Sequence, residues 1–277
     1  MQLTKPIVGA LFLLLGFAPA QSATPSISSV SSSDAEVESE FKHKAALKAS
    51  QAAIGTKLSN HRFMTSNGSV LFMEELRGKP LLISLIYTSC YHTCPMITRN
   101  LAEVVEKARD ALGEESFNIA LIGFDTNTDT PGAMRYFGRQ QGVNGEGWKL
   151  LSTDKATIDS LTKELGFIYY PSSRGFDHLV QATVVDEHGE IYRQVYGEVI
   201  NTPQLIEPLK ELVFGRPVAG QSLLTDIVNR VKLFCTIYDP NRDAYIFDYS
   251  LFLQALIGLS ILIPGFVFVV RAWRRTG

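Results

Sequence analysis

The segment "PLLISLIYTSCYHTCPMITRNLAEVVEKA", residues 80–108, joins a strand pattern to a helix pattern through a loop with two cysteines. The continuous apolar run of residues 80–87, with turn residues before it, predicts a strand buried on both faces. From Pro95 onward, apolar residues recur every three or four positions, which predicts an amphipathic helix. Cys90 and Cys94 therefore lie where a buried strand passes into a helix.

The alternation of strand and helix patterns continues along the chain. Residues 117–125 and 147–153 predict two further strands, each followed by a helical pattern. Asn67-Gly68 predicts a tight hairpin turn ahead of these elements, and residues 179–197 predict a second hairpin after them. A cysteine pair between a buried strand and a helix in this setting is typical of thioredoxin. The sequence thus predicts an α/β fold, a thioredoxin-like domain over residues 50–215 with an N-terminal hairpin.

The charge composition argues against nucleic acid as a partner. The 277 residues include 26 Lys and Arg against 28 Asp and Glu, a net charge of -2. No basic stripe interleaved with aromatic residues occurs, as a nucleic-acid binder would need. We therefore expect no nucleic-acid binding, and composition leaves the other classes of function open.

The N-terminus carries the pattern of an export signal. Residues 1–20 contain one lysine, an apolar run over residues 7–17 and then Ala18-Pro19-Ala20, a small-residue cleavage site. The apolar run is short for a membrane span, so we predict a signal peptide cleaved after residue 20, with a retained N-terminal anchor as the alternative. Residues 21–49 begin rich in serine and are predicted to be a flexible linker.

The C-terminus carries the pattern of a membrane helix. About 20 uncharged residues, enough to cross the hydrocarbon core, predict a transmembrane helix over residues 249–271. Arginines follow it, and the positive-inside rule places this side, with the tail 272–277, in the cytoplasm. The domain and a juxtamembrane extension, residues 216–248, would then lie on the side of the membrane opposite the cytoplasm. A buried core helix is the alternative for the apolar segment.

The two cysteines of the loop have three possible roles. In an oxidising compartment Cys90 and Cys94 tend to pair, which leaves Cys235 as the odd cysteine. Because a residue before proline avoids the helical region, we expect Cys94 at the helix cap and residues 91–93 in a loop. Both sulfurs can then converge above the first helical amides, which lower the pKa of the nearer thiol. A structural disulfide, a redox pair and a pair of metal ligands all remain open.

The metal alternative favours copper over zinc. Two soft thiolates suit Cu(I), whereas zinc usually takes four ligands and no second cysteine pair is present. A third ligand would have to come from a histidine. His178, at the predicted start of a buried strand, and His92, inside the cysteine loop, are the candidates, and Asp177 can orient the ring of His178. The other three histidines of the chain occur in polar or turn contexts typical of surface residues: His43, His61 and His188.

Three motifs together resemble the Sco/SenC family, thioredoxin-fold copper-binding assembly factors for cytochrome c oxidase. They are "YTSCYHTCP" at 87–95, "DTNTDTP" at 125–131 and "FDHLVQATVVD" at 176–186. The aspartate motif departs from the family pattern, since Thr126 replaces the usual proline and Thr128 the usual arginine. The arginine loss removes a charge that can pair near the site.

The resemblance implies a copper site, Cu(I) or Cu(II), formed by Cys90, Cys94 and His178. It implies delivery of copper to the CuA centre of cytochrome c oxidase subunit II or a similar subunit, or reduction of that centre's cysteines by the pair Cys90 and Cys94. A periplasmic thiol reductant would then be a further partner, and the chain would be anchored in a bacterial inner membrane. A thiol-disulfide oxidoreductase or a redox sensor using the same pair is the alternative. The segment around Cys235 resembles an extension of some bacterial members and gives that cysteine no secure role.

Overall fold

The computed structural model describes residues 43–145, 147–172, 175–215 and 223–276. All of them fall within one unit, residues 40–277. The predicted signal peptide, residues 1–20, and residues 21–42 of the predicted linker lie outside the described residues.

Helix α1, residues 43–52, opens the described chain. Ala46 and Ser50 are buried, and the Ser50 and Tyr196 hydroxyls are hydrogen-bonded at 2.9 Å. The prediction of a flexible linker up to residue 49 is therefore wrong for residues 43–49. Alanine and lysine in this segment favour a helix, and its small side chains allow close packing on the domain.

Eleven strands are found among the described residues, seven of them in one sheet. In chain order they are β1 Arg62–Thr65, β2 Val70–Phe72, β3 Leu81–Ile86, β4 Asn118–Gly123, β5 Trp148–Ser152, β6 Tyr169–Ser172, β7 Gly175–His178, β8 Gln181–Val185, β9 Ile191–Tyr196, β10 Thr236–Asp239 and β11 Ala244–Phe247. The large sheet has the order β2-β1-β5-β4-β3-β8-β9. Strands β6 and β7 form one separate hairpin, and β10 and β11 form another.

Six further helices follow α1 in the described chain. They are α2 Thr93–Leu112, α3 Pro131–Gln141, α4 Lys155–Glu164, α5 Thr202–Phe214, α6 Leu223–Cys235 and α7 Ser250–Thr276, and a single 3-10 turn occupies Met73–Leu76. Strands β3, β4 and β5 run parallel, so α2 and α3 serve as the crossovers that parallel pairing requires. The antiparallel strands β8 and β9 finish the sheet.

Strand β3 is an interior strand of the sheet, between β4 and β8. All six of its residues are buried, as the apolar run predicts, and the apolar face of α2 packs against the same core. The predicted α/β architecture with an N-terminal hairpin is confirmed. Because β3 has a neighbouring strand on both sides and ends at Ile86, the loop that follows it emerges inside the sheet edge, away from the two outermost strands.

The segment after α5 is folded onto the domain. Lys210 donates to the carbonyl oxygen of Thr236 at 3.0 Å, and the Tyr245 hydroxyl donates to Glu207 Oε1 at 2.6 Å. These contacts fix β10–β11 against α5. Residues 216–222 of the predicted extension lie outside the described residues.

Helix α7 is the one helix in the described chain that is long and apolar enough to cross a membrane. The candidate span is Phe252–Arg275, none of which is buried against the rest of the protein. A soluble core helix would hide its apolar side chains, so the exposure of this span favours the prediction of a membrane helix over that of a buried one.

Candidate metal and redox site

The cysteine loop ends where helix α2 begins. His92 is the N-cap and Thr93 the first helical residue, so Cys94 and Pro95 are already inside the first turn. The prediction of Cys94 at the cap is therefore wrong. Amides of the first turn have no acceptor within the helix, so a proline there costs no hydrogen bond and does not force the helix to start beside it.

The two cysteines are joined by a hydrogen bond from backbone to sulfur. The Cys94 amide donates to Sγ of Cys90 at 3.3 Å, while the Cys90 amide donates to the carbonyl oxygen of Tyr87 at 3.2 Å. Cys90 is half-buried, whereas Cys94 is only 2% exposed. Neither is in a disulfide in this structure. At the N-terminus of α2, a backbone amide thus bonds the sulfur of Cys90, while Cys94 is buried.

This arrangement shifts the pKa values of the two thiols in opposite directions. Burial opposes ionisation of Cys90, but hydrogen bonds from the amides of Cys94 and His92 and from the hydroxyl of Tyr87 outweigh it and lower its pKa. Burial is also the main influence at Cys94, and there it prevails and raises the pKa of the thiol. Cys90 is therefore the more nucleophilic cysteine, and Cys94 stays protonated in this conformation.

His178 ends strand β7, three positions before the first residue of β8, rather than beginning the buried strand as predicted. Its Nδ1 lies 3.0 Å from the carbonyl oxygen of Leu179, so the Leu179 carbonyl, not Asp177, orients the ring. Burial lowers the pKa of His178 and keeps the imidazole neutral. With its proton on Nδ1, the ring presents the lone pair of Nε2, the form in which histidine binds metals.

Aromatic rings surround His178 and connect it with the cysteine loop. Its ring centroid lies 6.3 Å from that of Tyr87, 5.6 Å from Phe124 and 5.2 Å from Phe167. Tyr87 also hydrogen-bonds Cys90, so this one residue contacts both parts of the predicted site. Burial and this bond raise the pKa of Tyr87 to about 12, and its hydroxyl remains a donor at neutral pH.

The structure does not bring the three predicted ligands together around one point. Within the described ranges, no group of three or more His, Cys, Asp or Glu side chains is placed to hold a metal ion. Cys90 and Cys94 meet at the start of α2, and His178 stands beside Tyr87. The donor types, two thiols and a neutral imidazole, fit copper, but the three groups are not assembled into one site in this structure.

Of the remaining histidines, His92 lies in the cysteine loop, where its backbone amide bonds Cys90. His92 is exposed at the N-cap of α2, and His43 and His188 are exposed as predicted. The prediction that His61 is a surface residue is wrong, since it is buried and hydrogen-bonded to Glu164 at 2.8 Å.

Asp129 supports the cysteine loop, a role that sequence reasoning missed. It is buried, and its Oδ1 accepts from the amide and the hydroxyl of Thr88, each at 2.7 Å. Its Oδ2 accepts from the amide of Asp125 at 2.8 Å. The N-cap of α3 is the neighbouring Thr130, whose hydroxyl accepts from the amide of Ala133. The carboxylate therefore ties the end of β3 to the loop that leads into α3.

An open groove of about 660 Å³ lies beside Cys90, between the start of α2 and helix α3. Its lining includes Cys90, Tyr91, Arg99, Tyr136 and Gln140. Tyr91 is 98% exposed. The more acidic thiol thus faces a space that a partner segment can enter, and Cys94 does not line it.

The chain matches a known protein family over the region that contains the cysteine pair, the aspartate and the histidine. The family model described as SCO1/SenC matches residues 50–213, more than half of the chain. The chain belongs to the SCO1/SenC family. The predicted family membership is thereby confirmed, and the match covers almost the whole predicted thioredoxin-like domain.

Similar proteins agree with the fold. The SCO1 protein homolog of Bacillus subtilis strain 168 is 22% identical over 147 residues, which cover 51% of this chain and 74% of that protein. A crystal structure from Aquifex aeolicus VF5, named as a candidate electron transfer protein, is 26% identical with a TM-score of 0.54 and covers 61% of this chain and 98% of that one. Another similar structure is that of BsSco, described as having a disulfide switch and as a member of the Sco family of cytochrome c oxidase assembly proteins. It is 21% identical with a TM-score of 0.51 and covers 57% of this chain and 94% of that one.

Copper-bound Sco proteins also occur among the similar structures. They come from Bradyrhizobium japonicum, Arabidopsis thaliana and yeast, with identities of 22%, 14% and 15% and TM-scores of 0.48, 0.49 and 0.49. They cover 57%, 55% and 61% of this chain and 99%, 98% and 96% of their own lengths. The predicted thioredoxin-like fold of the SCO1/SenC family, with one C-terminal apolar helix, is confirmed.

Proposed function

We propose that this chain is a membrane-anchored copper-binding protein of cytochrome c oxidase assembly. It delivers copper to the CuA site of oxidase subunit II or a similar subunit, or reduces the cysteines of that site. Helix α7 anchors it in a bacterial inner membrane, the folded domain lies in the periplasm, and residues 272–277 lie in the cytoplasm. Family membership and the exposed apolar helix support this proposal.

The observation that carries the proposal is the hydrogen bond from the Cys94 amide to Cys90 Sγ. It stabilises a thiolate at the helix N-terminus, and a thiolate is the form of cysteine that ligates copper. Cys94 lies four positions further on, and the neutral ring of His178 supplies Nε2 as a third donor. Cys90, Cys94 and His178 would hold the ion.

Copper would be the cargo of this site. Three protein ligands leave an open coordination position, so a thiolate of the recipient can bind the ion before the donor releases it. Binding must also displace the proton of Cys94, whose pKa is raised by burial. Because the three donors are not assembled in this structure, we expect copper to draw the cysteine loop and the β6–β7 hairpin together.

Copper titration of the reduced full chain in detergent tests the three-ligand site. We expect one Cu(I) per chain in competition with a chromophoric chelator. Cys90→Ser, Cys94→Ser and His178→Ala should each weaken binding by about tenfold or more. His188→Ala, which removes an exposed turn histidine, is the matched control and should bind as the wild type does. Equal affinity in wild type and His178→Ala would overturn the site.

Thiol-disulfide exchange is the second candidate, and the unequal acidity of the two thiols favours it. The Cys90 thiolate would attack a partner disulfide and form a mixed disulfide, releasing one partner thiolate. Cys94, once deprotonated, would then attack the Cys90 sulfur and release the second, leaving a Cys90–Cys94 disulfide and a reduced partner. Reduction of a protein disulfide should then persist with a copper chelator present and in His178→Ala. A redox sensor would use the same steps with a signalling partner.

A further inference from the structure

Helix α6 turns apolar side chains away from the domain. Ile227, Val228 and Phe234 are 57%, 50% and 75% exposed, and with the half-buried Val231 they follow the spacing of one helical face. On the other side of the helix, Leu233 packs against the core. A soluble surface helix would show the reverse pattern on its outer face, so this apolar stripe requires an apolar or amphipathic neighbour.

The β10–β11 hairpin follows α6 directly in the chain and also exposes apolar side chains. Ile237 and Ile246 are cross-strand partners, and both are exposed on one face of the hairpin. The neighbouring pair, Tyr238 and Tyr245, lies on the opposite face, from which Tyr245 donates to Glu207 of α5. The hairpin is therefore attached to the domain by its polar side and presents its apolar side outward.

A backbone hydrogen bond places this surface at the start of helix α7. The Asp248 amide donates to the carbonyl oxygen of Cys235 at 2.7 Å, which closes the hairpin beside the end of α6. Helix α7 begins only two residues later, at Ser250. Phe234, the most exposed residue of the α6 stripe, thus lies next to the point from which the membrane helix departs.

Aromatic residues gather at the same point. The ring centroid of Phe247 lies 4.8 Å from Tyr249 and 6.0 Å from Phe252. Tyr249 is itself largely exposed, and Phe252 opens the candidate span. Tyrosine and other aromatic rings at the end of a membrane helix are typical of the lipid headgroup region.

We propose that the outward faces of α6 and of the β10–β11 hairpin rest in the interfacial region of the bilayer that α7 enters. The surface is apolar, it is continuous with the membrane helix, and aromatic residues stand at the junction. An element with these properties lies in the plane of the interface, with its apolar side chains among headgroups and upper acyl chains. This inference rests on the proposed membrane anchor.

Such contact would fix the orientation of the site relative to the membrane. The hairpin is held to α2 by the ion pair of Asp243 with Lys107, and to α5 by Lys210 and Tyr245. Cys94 lies about 20 Å along α2 from Lys107 at 1.5 Å per residue. The cysteine loop is thus carried by a helix whose far half is attached to the membrane-resting hairpin, and a recipient would meet it at a constant height and angle.

Photocrosslinking of the full chain in vesicles tests this contact. p-Benzoylphenylalanine replaces Phe234 in one variant, Leu262 within α7 in a second and Val199 in a third, a set of exposed positions. Each protein is reconstituted into vesicles of phosphatidylethanolamine and phosphatidylglycerol, irradiated and analysed for lipid adducts by mass spectrometry. We expect lipid adducts at positions 234 and 262, and at least tenfold less at position 199, which lies in the loop between β9 and α5.

The three positions separate failure of the inference from failure of the anchor. Adducts at 262 without adducts at 234 would overturn the interfacial contact and leave the anchor standing. An absence of adducts at 262 would overturn both. Crosslinks from 234 to a second copy of the chain instead of lipid, or adducts at 199 as abundant as at 234, would also overturn the inference.

Discussion

The amide of Cys94 donates a hydrogen bond to Sγ of Cys90 across 3.3 Å, so the backbone of one cysteine stabilises the thiolate of the other. Cys94 itself is buried, and burial raises the pKa of its own thiol. The pair is chemically unequal before any metal or partner arrives. Cys90, which also lines the open groove, is placed to react first.

Alkylation should therefore modify the cysteines in a fixed order. In reduced, metal-free protein we expect iodoacetamide to label Cys90 well before Cys94, because only the thiolate reacts and Cys94 is both protonated and buried. Since the pKa of Cys90 is lowered, its labelling rate should rise at a lower pH than that of a free cysteine. Peptide mass spectrometry measures the order, and Cys90→Ser should remove the fast phase. Faster labelling of Cys94 or Cys235 would contradict it.

Removal of the Tyr87 hydroxyl should make Cys90 less acidic. Burial opposes the Cys90 thiolate and several hydrogen bonds favour it, among them the one from Tyr87. Tyr87→Phe deletes that donor, so the pKa of Cys90 should rise and the pH profile of its alkylation should move to higher pH. Tyr91→Phe, which removes an exposed hydroxyl one residue beyond Cys90, is the matched control and should leave the profile in place. An unmoved profile in Tyr87→Phe would argue against the bond.

Loss of the Asp129 carboxylate should loosen the cysteine loop. Asp129→Ala leaves the amides of Thr88 and Asp125 without their acceptor, so we expect the free energy of unfolding to fall by about 2–3 kcal/mol. Denaturant unfolding measures this loss, and copper affinity should fall as well because Thr88 precedes Cys90 by two residues. Asp154→Ala removes the exposed N-cap of α4 and should cost about 1 kcal/mol without affecting copper. Unchanged copper affinity in Asp129→Ala would show that the support of the loop by Asp129 does not affect copper binding.

The strands and the cysteine loop could be predicted from the sequence because local patterns specify them. The run ending at Tyr87 lacks the alternating polar residues of a half-exposed strand, and the proline after Cys94 predicts the start of a helix. The first residue of α2 could not be predicted, since a proline is tolerated anywhere in the first turn of a helix. The local pattern therefore located the cysteines without fixing the position of Cys94 within the helix.

Contacts between distant segments explain what sequence reasoning missed. Asp129 bonds Thr88 across 41 positions, and His61 bonds Glu164 across 103, so neither role has a local signal. The family resemblance pointed to His178, but its neutral state and ring orientation depend on burial and on the Leu179 carbonyl. The outward apolar face of α6 is visible in the sequence only as a helical periodicity, which does not tell which side faces the domain.

Asp243 should control the attachment of the β10–β11 hairpin. Hydrogen bonds from Lys107, Thr202 and Tyr238 lower the pKa of this carboxyl from 3.8 to about 2. A lowered pKa means that the ionised carboxylate stabilises the folded contact above about pH 4, and that this contribution is lost as the pH falls towards about 2. The pair with Lys107 is half-exposed, so we expect Asp243→Asn to weaken attachment by about 1 kcal/mol at neutral pH, or roughly fivefold in the opening equilibrium.

Limited proteolysis of the full chain in detergent measures this opening. Thermolysin at neutral pH should cleave within residues 236–247 about fivefold faster in Asp243→Asn than in the wild type. With pepsin, the wild type should lose its protection between pH 4 and pH 2, while the variant should show little further change. Asp159→Asn breaks a similar lysine pair on α4, and the hairpin should then be cleaved at the wild-type rate. Equal cleavage of the hairpin in wild type and Asp243→Asn would show that Lys210 and Tyr245 hold it without this carboxylate.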